Sequence, residues 1–216
     1  MRRRVNPGEE LTRERIADAA LEVLAAEGLD GLTLRKVAAR LNVQHGALYW
    51  HVRDKRDLLD EAAQALLRRE FSPVPERGEQ DWRDWLTGIA TRLRRAMLSH
   101  RDGAAIVVTS RSKARVDILA ELGNAMMESL VSAGFSPAAA FAVQLSVLGY
   151  VLGFVAQDQA TIERHLPASV AARFASLDAA KAQKRAGDDD TTALFAEGLE
   201  VLLDGAKARR ERTPAS

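Results

Sequence analysis

The chain has 216 residues, 47% of them apolar and 28% charged, a balance that excludes a mainly disordered or fibrous protein. It has no cysteine, so a disulfide framework and a thiolate metal site are both excluded, and a reducing cytoplasm is the expected setting. The formal net charge of +1 conceals an asymmetry: residues 1–56 carry 11 Lys and Arg against 8 Asp and Glu, and within 35–56 six cations face the single acid Asp54.

The N-terminus, MRRRVNPGEE, has arginines without an apolar segment behind them, so no signal peptide is expected. In LTRERIADAALEVLAAEG, Ile16, Ala19, Ala20, Val23 and Leu24 recur at helical spacing, with Thr12 as N-cap and Gly28 as stop. A second helix follows with Thr33 as N-cap, Val37, Ala38 and Leu41 as its buried stripe, and Asn42 as the residue able to turn left-handed. A third is expected from near Gln44 to before Arg53, and Asp54 caps a fourth, KRDLLDEAAQALLRRE.

The Pro- and Gly-bearing FSPVPERGEQ marks a boundary, which gives an N-terminal unit of residues 1–71 and a body of residues 72–216. Beyond it the pattern predicts a helix over Trp82 to Ser99, a short element after Gly103 and a helix from Ile118 to Val131. A long helix then starts at Ser136 and Pro137, serine being a good cap and proline suiting the first helical position. That helix is apolar almost all round from Ala138 to Ala156, long enough to span a bilayer, yet it holds Gln144 and Ser146 and lacks basic flanks. Burial in a core or a subunit interface is therefore expected, with Gly149 and Gly153 admitting a close neighbour. From Thr161 to Thr192 a mobile loop with a short helix is expected. Leu194, Leu199, Leu202 and Leu203 mark a last helix, and the ARRERTPAS tail reads as disordered. The fold class is all-α.

Catalytic patterns are absent. The histidines His45, His51, His100 and His165 lack HExxH spacing, no serine sits in a GxSxG turn and there is no Gly-rich phosphate loop. A short helix, a tight turn and a second short helix instead match the helix-turn-helix unit, whose latter helix enters the major groove. Val37, Ala38, Leu41, Val43 and Leu48 would hold it together, leaving His45, Gly46, Ala47, Tyr49 and His51 on the open side. Small residues let the backbone approach base edges, Tyr49 and His51 can bond phosphate or touch a thymine methyl, and Lys55 can hold a phosphate. Most of Trp50 and the Tyr49 ring are expected to pack against the first helix.

The run GLTLRKVAARLNVQHGALYWHVRDKRDLLD resembles the DNA-binding domain of the TetR family of transcriptional repressors, and LYWHV-x-x-KR-x-LLD is close to its tetracycline-repressor class. LSHRDGA at 98–104, GFSP at 134–137 and the long apolar helix ending in QDQ extend the resemblance over nearly the whole chain. It implies a homodimer with two N-terminal three-helix helix-turn-helix domains and C-terminal helical bodies that bind an inducer and dimerise through the long apolar helix and the last one. The operator interface it implies comprises Thr33, Arg35, Gln44, His45, Gly46, Ala47, Tyr49, Trp50, His51 and Lys55. Arg35 matches the family's base-reading arginine. His45 stands at a base-contacting glutamine of the tetracycline-repressor class, Gly46 at its proline and Leu34 at a threonine, so the operator should differ from that of tetracycline.

In the body, the positions that help hold magnesium in that class appear as Val107 and Gln157, neither a good ligand for an ion that favours carboxylates and water. No metal, no cofactor and no magnesium-tetracycline inducer are therefore expected. An apolar cavity is expected instead, lined by Phe71, Ile89, Leu93, Val107, Met126, Met127, Phe141 and Leu148, with Ser110, Gln144 and Gln157 as polar contacts. His100 reads as structural, with Arg101 and Asp102 tying the body to the fourth helix through ion pairs. The reading is a cytoplasmic, ligand-released repressor of double-stranded DNA, not an enzyme and not a membrane protein. A helix-turn-helix regulator without an inducer, and an enzyme on a helical scaffold, stay open as alternatives.

Overall fold

The computed structural model describes residues 10–110, 118–161 and 191–212. Helices α1 (Arg13–Gly31), α2 (Leu34–Leu41), α3 (His45–Leu48) and α4 (Lys55–Phe71) are followed by α5 (Trp82–Leu98), α6 (Gly103–Thr109), α7 (Ile118–Ser132), α8 (Pro137–Thr161) and α9 (Thr191–Arg212). No strand occurs among the described residues.

The caps read from the sequence form as hydrogen bonds. Thr12 accepts from the Arg15 amide at 3.3 Å, Thr33 from Lys36 at 3.3 Å, and Asp54 from Arg56 and Asp57 at 2.8 and 2.9 Å. Ser136 accepts from Ala139 at 3.3 Å, with Pro137 as the first residue of α8. Asn42 takes φ 55° and ψ 43°, the left-handed turn between α2 and α3. Gly28, at φ 72° and ψ −176°, breaks α1 before a last turn runs on to Gly31.

α4 is the connector. One side packs on α1, while other faces meet α5, α6 and α7. Leu58, Ala62, Leu66 and Phe71 are buried along it, and the Gln64 side-chain oxygen accepts the Ile118 amide at 3.1 Å. Glu70 pairs with Arg95 of α5, and its backbone oxygen accepts from Arg92. The expected ion pairs from Arg101 and Asp102 to α4 do not form. The two residues face each other at 3.8 Å, and the Asp102 carboxylate lies against Gly28 of α1. The loop is held from α8 instead: the Gln159 amide donates to His100 O at 2.7 Å and to Met97 O at 3.3 Å, while its oxygen accepts from Ala104 at 3.2 Å. A Cβ at Gly103 would meet Met97 O at 1.8 Å, so only glycine permits this closure.

α8 is long and apolar enough to cross a bilayer, but Ala140, Val143, Val147, Val151 and Val155 form a stripe buried against the other helices. On its other side Phe141 and Leu145 are each 53% exposed, and a Cβ at Gly149 or Gly153 would meet nothing within 4 Å. The close approach expected at those two glycines is therefore not made among the described residues. It occurs where Gln144 abuts Gly123 and Tyr150 abuts Gly198.

Two further expectations are corrected. α3 proper is one turn, four residues long, because the chain tightens at its C-terminal end: the Tyr49 and His51 amides donate to carbonyls three residues back. The tail continues α9 as far as Arg212, since Arg210 donates to Ala133 O at 3.1 Å and lies over the Trp82 and Phe135 rings. The mobile loop expected at 161–192 falls largely on residues 162–190, outside the described residues, as do the MRRR arm and residues 213–216.

Candidate nucleic-acid interface and ligand core

Leu48 and Val52 are fully buried and pin α3 into the core made by α1, α2 and α4. Because α3 is a single turn held at that end, its remaining positions have to face outward. Thr33, Arg35, Gln44, His45, Gly46, Tyr49, Trp50 and Lys55 are exposed, and Ala47 and His51 are half-buried. A Cβ at Gly46 would meet nothing within 4 Å among the described residues, so the absence of bulk serves no contact with them.

The aromatics depart from the expected packing on α1. Trp50 is 89% exposed, and the Tyr49 ring, 53% exposed, stands edge-on to His45 with centroids 5.1 Å apart. The reason is register: Leu48 and Val52, four apart, take the inward face, leaving Tyr49 and Trp50 on the opposite side.

Tertiary structure also sorts the six cations of residues 35–56. Lys36 pairs with Glu27, Arg40 with Glu22, and Arg53 reaches Asp57 at 2.8 Å. The Arg53 hydrogen bonds hold the Asp57 carboxyl below its ordinary range, despite an opposing effect of burial. Arg35, Lys55 and Arg56 make no ion pair among the described residues, so these three are the cations this face offers to an anion. Arg56 was not among the residues singled out from sequence. The signal for it was the i,i+4 spacing of Arg53 and Asp57, which consumes Arg53 and leaves its neighbour.

The ligand candidates divide into two groups. Phe71, Ile89, Leu93, Val107 and Met126 are buried at 3% exposure or less, with Met127 and Leu148 packed against them. Gln144 is half-buried with its amide against Gly123 of α7, and its side-chain oxygen is buried without a hydrogen-bond partner among the described residues. Ser110 ends α6 at the edge of the described chain. Phe141 and Gln157, by contrast, are exposed on α8 and do not join this group. Among the described residues no group of three or more His, Asp or Glu is placed to hold a metal ion.

Comparison with known proteins adds an independent line. The family model for bacterial regulatory proteins of the tetR family matches residues 16–62, and that for the tetracyclin repressor-like C-terminal domain matches residues 74–210. The chain is 39% identical over 202 residues to the tetracycline repressor protein class A from transposon 1721 of Escherichia coli, covering 89% of this chain and 88% of that one. A possible TetR family transcriptional regulator from Streptomyces coelicolor A3(2) superposes with a TM-score of 0.78 at 30% identity, covering 92% of this chain and 100% of that one. A structure of BioQ with its natural double-stranded DNA operator matches with a TM-score of 0.66 at 29% identity, covering 92% and 99%.

Proposed function

Because this chain belongs to the TetR family of transcriptional repressors, with its DNA-binding domain and ligand-binding C-terminal domain, we propose that it represses as a homodimer on a palindromic operator and is released by a small, largely apolar inducer. The observation that carries the reading is the open surface of α2, α3 and the start of α4: Arg35, Lys55 and the nearly bare Trp50 are exposed, and the backbone is unobstructed at Gly46. Phosphates would take Lys55 and Arg56, while Arg35 and His45 would read base edges. The remaining interface candidates, Thr33, Gln44, Ala47, Tyr49 and His51, are exposed or half-buried and so open to a partner.

The dimer reading rests on the open side of α8, with Phe141, Leu145, Gly149 and Gly153, together with Leu194 and Val201 of α9, 47% and 70% exposed. Exposed apolar residues on two helices that pack together mark a surface that another surface covers. Paired bodies would hold two recognition helices about 34–36 Å apart, one turn of B-form DNA. Division at residues 71 and 72 makes α4 the lever between reader and body, and the cytoplasm is the compartment in which such a protein meets DNA.

The inducer reading rests on the buried apolar group around Phe71, Leu93 and Met126, with the unpartnered Gln144 oxygen as an acceptor for a ligand donor. Val107, only 3% exposed, and Gln157 offer magnesium no carboxylate. Magnesium-tetracycline is therefore not the inducer. A hundredfold loss of operator occupancy requires about 2.7 kcal/mol of differential affinity, within reach of one well-filled site.

A gel shift of the full chain on DNA upstream of its own gene, with magnesium-tetracycline and apolar compounds added in parallel, tests the whole reading. Binding to a symmetric promoter fragment, lost with an apolar compound and kept with magnesium-tetracycline, is the expected result. No preference over random duplex in moderate salt overturns the DNA reading, and release by magnesium-tetracycline overturns the inducer reading.

A further inference from the structure

A second site lies outside the core group. Residues of the connection between α4 and α5 and of α7 line an open cleft of about 520 Å³, within the size range of small-molecule sites. Trp85 and Ser129 line it, at 4% and 5% exposure, and neither the Trp85 Nε1–H nor the Ser129 hydroxyl has a hydrogen-bond partner among the described residues. Buried polar groups are normally paired, and two unpaired ones lining a single cleft point to a partner from outside the chain.

The charge of the walls states what kind of partner. Glu76, Glu121 and Glu128 face one cation, Arg77. That guanidinium is already engaged, donating to Gln80 O and to Ser132 Oγ, both at 2.8 Å. Glu128 accepts from Asn124 at 2.8 Å, and neither Glu121 nor Glu128 forms an ion pair among the described residues. Glu121 and Glu128 are two turns apart on α7, about 10 Å of backbone rise, with the small Ala125 between them.

We propose that this cleft binds an amphipathic organic cation, its ammonium held by Glu121 or Glu128 and a carbonyl-type acceptor directed to Trp85 Nε1 and the Ser129 hydroxyl. The site is separate from the core group around Leu93 and Met126 and does not depend on the operator reading. A carboxylate-bearing ligand is disfavoured there by the surplus of acid.

Calorimetric titration of the full-length protein, without DNA, tests this with two probes. Procaine carries a protonated tertiary amine and an ester carbonyl, while benzocaine keeps the aminobenzoate ester and lacks the ammonium. Procaine is expected to bind saturably and benzocaine at least about tenfold more weakly, the effect of one charge-assisted contact. The E121Q/E128Q variant, altered only on the outer face of α7, should lose about tenfold in procaine affinity with its melting temperature unchanged. W85F should lose affinity while keeping the salt dependence, and if it fails to fold the carboxylate variant decides alone. Equal affinity for the two probes, procaine binding untouched by E121Q/E128Q, or no saturation at millimolar procaine overturns the proposal.

Discussion

Arg35 and Lys55 carry the same charge on the same face, yet they are expected to fail differently. Arg35, exposed in the first turn of α2, is proposed to read a base. Arg35→Ala should cost about 1–3 kcal/mol and relax specificity at one base pair of each half-site. Fluorescence anisotropy against single-base operator variants checks it, and unchanged affinity for the native operator would remove Arg35 from the readers. Lys55 opens α4 beside the exposed Asp54 and is assigned to phosphate, so Lys55→Ala should weaken binding to all sequences and reduce the salt slope by about one. A sequence-selective loss would contradict that assignment. Which cations are available was not legible in the sequence. Lys36 and Arg40 look as free as Arg35 until α1 brings Glu27 and Glu22 across to them. Trp50 shows the same limit: a tryptophan beside buried leucines reads as packing, and only the register set by Leu48 and Val52 turns it outward.

Among the elements, those whose ends are written in local chemistry were the readable ones. Thr12, Thr33, Asn42, Asp54 and Ser136 all occupy the ends expected of them, because capping and left-handed turns involve partners within a few residues. α3 and α9 depart from the sequence expectation for the complementary reason. α3 is curtailed by the bend that must deliver the chain to Asp54, and the end of α9 is held by Ala133, Trp82 and Phe135, which lie remote in sequence. Asp54→Ala removes the acceptor of two amides and should cost about 1 kcal/mol, read as a lower thermal midpoint. DNA affinity should fall with it, since Lys55 is placed by that turn. An unchanged midpoint would show that Asp54 is dispensable as a cap.

For the whole molecule, assembly and pH response are the tests. Leu145→Glu puts a charge on the open face of α8 and should raise the dimer dissociation constant at least roughly a hundredfold, about 2.7 kcal/mol, leaving the monomer fold intact because Leu145 is 53% exposed. Sedimentation velocity and operator titration should move together, and a wild-type protein that is monomeric at working concentration would end the dimer proposal. His100 is held below its ordinary value of 6.5, first by burial and then by Arg69. The folded protein thus resists a proton that the unfolded chain accepts, and stability should begin to fall as pH drops below 6.5. Asp57 and Glu70 are held below 3.8 and 4.5, chiefly by hydrogen bonds from Arg53 and Arg95. Their contribution is complete above those values and is lost as pH falls through the lower folded ones. Urea melts from pH 7 to 3 should decline throughout, and a maximum on the acid side would contradict these shifts.

By itself the sequence determined the helices, their caps, the helix-turn-helix unit and the family, since helical periodicity, capping and an extended motif are properties of neighbouring residues. Only the tertiary structure decided which cations remain available, that Trp50 stands bare, that Gln159 rather than Arg101 and Asp102 secures the loop before α6, and that Trp85 and Ser129 share a cleft. Each of these depends on groups far apart in the chain being brought within a few ångströms, a relation that no local pattern encodes.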